Sequence, residues 1–348
     1  MSKIRRATMP LLNEQTSKWM REKEYIAYLG ALALLFSYAE MFLPRTLPFF
    51  RLGLGNVVML LSFTLPFPSY ILLSVIKAFA ASLMAGTLLT PFFLLSLGQS
   101  VSSAIVMYTL YHLFSWRNSG KIRFISLYGI SIAGASASSV VQIALASLYL
   151  GEGTYALLGP MVLFSLFAGI LTAFMALHLH IPQDAPALSE NASKICLHKK
   201  SFVVTTSVAI AIAAVFILML DDLKILGVCL VASVIAQKIS GRRILLSPHL
   251  VMWLFVIFAN ILVPSGKVLC SVFSFGITEG ALLVGILQAM KLSAVSALSQ
   301  CVASLRPEGD SLVALTLKYF RGLSNAMRKT NGNIIKKIKF ALSSKCLE

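Results

Sequence analysis

Nine residues near the N-terminus, Pro48-Phe49-Phe50-Arg51-Leu52-Gly53-Leu54-Gly55-Asn56, place a guanidinium, two glycines and an amide between two long apolar stretches. Broken backbone at the end of an apolar run can offer free N–H groups to an anion. Arg51, Asn56 and the backbone around Gly53 and Gly55 are therefore the first candidates for ligand contact. Charged and amide side chains within apolar runs are costly in lipid and normally face protein or water. They are few here: Glu40, Lys77, Gln99, Gln142, Gln288 and Lys291. Glu40 falls close to Arg45 and Arg51, so it forms either a structural ion pair or part of a polar pocket. Lys77 either pairs with Glu40 or serves as an anion contact, and Gln142 lines or supports the same pocket. The two arginines either snorkel to a headgroup layer or face an anionic ligand group.

Other chemistries lack their residues. There is no GxxxxGK[ST] to cradle ATP phosphates, no GxSxG and no HExxH. Metal-assisted chemistry on a diphosphate needs several carboxylates converging on the ion. The chain has 13 acidic residues, most of them in tails and loops, and Asp221-Asp222 is the one acidic pair. Its five cysteines show no CxxC spacing, so neither a disulfide framework nor a metal site is expected. No catalytic residue, metal ligand or cofactor is assigned to this chain. Binding and translocation fit better than catalysis.

The elements that must position these residues are membrane helices. The chain is 57% hydrophobic and only 12% charged, about half the charged fraction of an ordinary soluble domain, with a mean hydropathy of +0.83. Apolar runs of roughly 17–25 residues recur, each long enough to cross a bilayer as a helix, and they lack the period-2 alternation of strands. We read an all-α polytopic membrane protein with about ten spans: 25–43, 52–65, 70–86, 92–114, 124–149, 157–178, 202–220, 225–236, 246–263 and 280–305. The second and eighth are short and contain glycine, so each is open to being tilted, broken or only partly inserted. The net charge of +17 concentrates at the N-terminus, in a few short loops and in the C-terminal tail. That is the positive-inside pattern rather than a nucleic-acid footprint. It puts both termini in the cytoplasm, with the loops near Arg117, Lys194 and Lys238 inside and those near Glu152 and Asp221 outside. The polar lead before Tyr25 argues against a cleavable signal peptide.

Residues 182–200, with Pro182, Pro186, Ser189, Asn191 and Ser193, have linker composition. The domain reading is a basic cytoplasmic N-terminus (1–24), a six-helix module (25–181), the linker, a four-helix module (201–305) and a basic cytoplasmic tail (306–348). Within the tail, Leu312, Leu315, Leu317, Phe320, Leu323 and Met327 are spaced like an amphipathic helix, made for an anionic lipid surface or for a partner. Ala27 and Ala31, four apart in the first span, would let another helix approach closely.

The run Pro48-x-x-Arg51-Leu52-Gly53-Leu54-x-Asn56, with Glu40, Pro91-Phe92-Phe93-Leu94-Leu95-Ser96-Leu97-Gly98 and Gln142, resembles the Gx transporter family, also described as heptaprenyl diphosphate synthase component I. The resemblance covers about 25–180. It implies an S-component-like module of an energy-coupling factor (ECF) transporter, which binds a small-molecule substrate, lies in the cell membrane, and works with a T component and separate ATPase subunits that hydrolyse ATP. Ala27-x-x-x-Ala31 is similar to the motif by which S components pack on their scaffold. Residues 200–330 resemble a reduced T component through Phe275–Ala281 and the span bearing Lys291. The historical label implies an alternative, an accessory membrane component of heptaprenyl or polyprenyl diphosphate synthesis. Phe49, Gly55 and Ser138-Ser139 stand where the family pattern has Gly, Ala and a His-Asn pair.

Overall fold

The computed structural model describes residues 3–40, 52–116, 125–150, 152–179, 200–241, 246–261, 266–272, 275–304 and 311–329. A helix lies at each expected span: α1 (Lys3–Glu40), α2 (Asn56–Leu61), α3 (Phe67–Ala85), α4 (Pro91–Trp116), α5 (Leu127–Leu150), α6 (Leu158–His178), α7 (Lys200–Met219), α8 (Leu223–Ile239), α9 (Leu246–Ile261) and α10 (Glu279–Ser304), followed by α11 (Leu312–Lys329). Among the described residues, five helical segments are long and apolar enough to cross a membrane: 67–85, 91–114, 127–148, 154–178 and 279–304. The all-α reading holds, with one local exception. Val268–Val272 (β1) and Phe275–Thr278 (β2) form an antiparallel hairpin before α10, which pairs backbone groups that the long α9–α10 connection would otherwise leave open.

The second expected span is the broken one among its alternatives and not a full crossing. Helix α2 has six residues, about 9 Å of rise against a hydrocarbon core of about 30 Å. Its direction follows from its neighbours. Ser69 donates to Glu22 and Gly30 lies against Ile76, so α1 and α3 run parallel and the chain must return between them. Residues 53–66 make that return as a turn, the short helix, and a second turn in which Leu65 N–H donates to Ser62 O. Pro66, extended at φ −62 and ψ 150, then starts α3. Val57, Val58 and Met59 are fully buried, so this broken segment runs through the core of the module.

Helix α10 organises the second module through one polar clamp per neighbour. Lys291 donates to the Leu218 carbonyl at the end of α7. Gln237 of α8 donates to Gln300. Trp253 and Asn260 of α9 donate to Ser293 and Gln288. The two modules meet where Leu89 N–H, in the α3–α4 connection, donates to Ser299 at 3.1 Å. Gly86 sits there with φ +69, and a Cβ on it would reach Gln300 Cγ at 2.5 Å. The 3-10 turn 152–157, at the same end of the first module, touches α9. The first module thus docks by one end against the flank of the second.

Helix α11 does not lie apart as a tail. Its Tyr319, Phe320 and Leu323 belong to the core of the first module, where Tyr319 packs edge-on to Tyr28 and Phe320 to Tyr38. Two adjacent residues of α11 thus reach rings ten positions apart, about 15 Å along α1. The amphipathic helix lies across α1, and its partner is its own chain.

Candidate functional site

The return segment gathers the polar residues of the first module. Gly53 adopts φ +68, which favours glycine because a Cβ is strained there. Its carbonyl accepts from Asn56 N–H at 2.8 Å, closing the turn that starts α2. The turn points two successive N–H groups at the end of α1: Gly53 donates to Glu40 Oε1 and Leu54 to Glu40 Oε2, each at 3.2 Å. From α3, Lys77 Nζ donates to Asn56 Oδ1 at 2.6 Å. Glu40 and Lys77 are only 9% and 8% exposed. Among the described residues the one direct salt bridge joins Lys291 to Asp221, so Glu40 and Lys77 make no direct ion pair, although Glu40 lies close enough to act on Lys77 electrostatically. Glu40 is committed to the backbone of that stretch and Lys77 to the side chain of its Asn56.

The structure therefore brings Glu40, Gly53, Gly55, Asn56 and Lys77 together. Gln142 is buried on α5 among residues that pack on α4, where Val141 and Leu145 flank Gly98. Arg51 and Arg45 lie outside the described residues. Ala27 and Ala31 are fully buried. Gly30, beside them, meets Thr316 of α11 on one side and Ile76 of α3 on the other.

Sequence reasoning overlooks Ser37. It sits one turn before Glu40, on the same helix face, and donates to Ala33 O. Its Oγ fills the space above Gly55: a Cβ there would lie 2.7 Å from Ser37 Oγ, 3.2 Å from Ala33 O and 3.4 Å from Lys77 Cδ. The backbone at Gly55 is ordinary, φ −60 and ψ −18, so glycine is required by space and not by conformation. Ser37 thus explains why glycine stands where the family pattern has alanine. Gly55→Ala should cost about 1–3 kcal/mol by overpacking, read as a lower melting temperature in detergent. Adding Ser37→Ala should recover most of it; an equal loss in the double variant would refute the steric account.

The remaining intramembrane polar residues work as structure. Gln288 and Lys291 hold α9 and α7, and the Asp222 carboxylate caps α8 by accepting from Lys224 N–H at 3.0 Å.

Residues 29–179 match the family model described as heptaprenyl diphosphate synthase component I, which bears out the resemblance read from the Pro48–Asn56 run. Residues 201–304 match a domain of unknown function (DUF8519); the likeness to a T component has no support in that match. No curated protein matches the chain, and no solved structure does.

Proposed function

We propose that this protein is a non-catalytic membrane transport subunit. Its first module binds a small metabolite at Asn56, on the turn closed at Gly53, with Glu40 and Lys77 beside it and Arg51 as a further contact expected from the sequence, in the manner of an ECF S component. Its second module acts as a T-like scaffold, joined to separate ATPase subunits that supply ATP hydrolysis. The chain sits in the cell membrane as a multi-pass protein with both termini cytoplasmic.

One observation carries this reading. Two charged side chains from two different helices are buried in an apolar module and hydrogen-bond to one broken segment, Glu40 to its backbone and Lys77 to its Asn56 Oδ1, with no direct salt bridge between them. Charge spent on holding a turn open inside a membrane module is the arrangement of a solute site.

The family description favours a second reading, an accessory membrane component of a prenyl-diphosphate synthase. Co-purification separates the two: ATP-binding-cassette subunits support transport, and a soluble prenyltransferase supports the accessory role. The site itself is tested by mass spectrometry of small molecules retained by the purified protein. Asn56→Ala and Arg51→Ala should each reduce the retained compound about 10-fold or more, the loss expected of a hydrogen bond to a charged group. Undiminished retention by both variants would remove the site.

A further inference from the structure

We propose that the ligand group seated between α2 and α3 is an anionic oxygen centre, a carboxylate or a phosphate, held by Lys77 Nζ and Asn56 Nδ2. This rests on the solute-binding reading above and adds the chemistry of the solute. The backbone N–H groups of Gly53 and Leu54 are not available to it, because both oxygens of Glu40 already accept from them. An ammonium carries three N–H donors. Lys77 gives one to Asn56 Oδ1, and among the described residues no other acceptor meets it, although it is only 8% exposed.

Asn56 is set by the same contact. With Oδ1 turned to the ammonium, its Nδ2 faces the other way, over Gly53, whose Cβ position lies 3.2 Å from it. The flipped amide would set donor against donor, so the lysine fixes the orientation. No acceptor among the described residues meets Nδ2 either. The spot therefore presents amine and amide N–H groups with no facing acceptor among the described residues. The ammonium disfavours a cationic ligand, even with Glu40 close enough to offset part of its charge, and a neutral hydroxyl or carbonyl uses one donor. A carboxylate or phosphate uses several at once and supplies the counter-charge that Glu40, spent on backbone, does not give by direct contact.

The test is thermal unfolding of the full-length protein in nonionic detergent with sodium acetate, inorganic diphosphate or neutral acetamide, each at about 10 mM. One or both anions should raise the melting temperature by about 4 °C, the size expected from a ligand well above its dissociation constant, and acetamide should not. Acetate alone assigns the carboxylate, diphosphate alone the phosphate. Lys77→Met should abolish the shift. Asn56→Asp should abolish it too, by giving Lys77 a fixed counter-ion, and does so without removing the buried amine should Lys77→Met fold poorly. An anion shift that persists in both variants, or none in the wild type, overturns the proposal. A retained neutral or cationic compound without an anion shift sinks the anion assignment and leaves solute binding standing; no retained compound and no shift sinks both.

Discussion

Glu40→Gln is expected to lower retention of the co-purified small molecule about 10- to 100-fold while the protein still inserts and folds. The carboxylate takes one backbone N–H on each oxygen, at 3.2 Å from Gly53 and from Leu54. Glutamine keeps one acceptor and turns an NH2 toward the other N–H. One hydrogen bond to a charged group is lost, about 1.5–3 kcal/mol, and two donors then face each other. The Gly53 turn, held at φ +68, loses half of what pins it, and Asn56 and Lys77 lose their placement with it. Glu40→Asp should do no better, since a chain shorter by one methylene no longer reaches both N–H groups. The decisive readout is retained compound per folded molecule alongside the melting temperature. If Glu40 only braces the fold, melting falls and retention per folded molecule stays level. If it builds the site, retention falls by the larger factor.

The helices were legible because a run of apolar residues as long as a bilayer is thick has few other fates. The segment 52–65 counts among the spans for the same reason, being mostly apolar, and its short length and glycines leave open the break that the structure shows. The break was signalled only by Gly53 at one end and by Ser62 and Pro66 at the other. Glu40, Asn56 and Lys77 stood out as polar residues among apolar ones. Their arrangement did not, because it depends on where two backbone N–H groups point, and side-chain identity is silent on that. Ser37 was hidden because a serine in a membrane helix ordinarily bonds back to the preceding turn, as this one does. Its importance lies in the volume it denies to residue 55. Gln237, Asn260 and Gln300 went unmarked as clamps, since a lone amide shows no partner in one dimension. The apolar stripe of α11 was visible, but an amphipathic face does not name what covers it. The structure supplies Tyr28 and Tyr38.

That crossing of α11 over α1 gives the second large effect. Gly30→Leu should release α11, leave retention of the small molecule within about twofold, and cut uptake of that compound by whole cells at least 10-fold. A single Cβ at Gly30 would already sit 3.2 Å from Thr316 Cγ2 and 3.3 Å from Ile76 Cγ2; a leucine has nowhere to go between α11 and α3. Overpacking of about 1–3 kcal/mol shifts the docked population of α11 by roughly 5- to 150-fold. The site should survive because Gly30 is ten residues from Glu40, about 15 Å along α1. Hydrogen exchange across 312–329 reports the release directly and should quicken by the same factor. Gly30→Ala is the milder form, and Thr316→Ala in that background returns the volume of a methyl and a hydroxyl, so exchange in α11 should slow again. Quickened exchange with normal uptake would make α11 a brace for the first module only. Quickened exchange with lost uptake and kept retention would separate binding from translocation, and would place α11 in the second step.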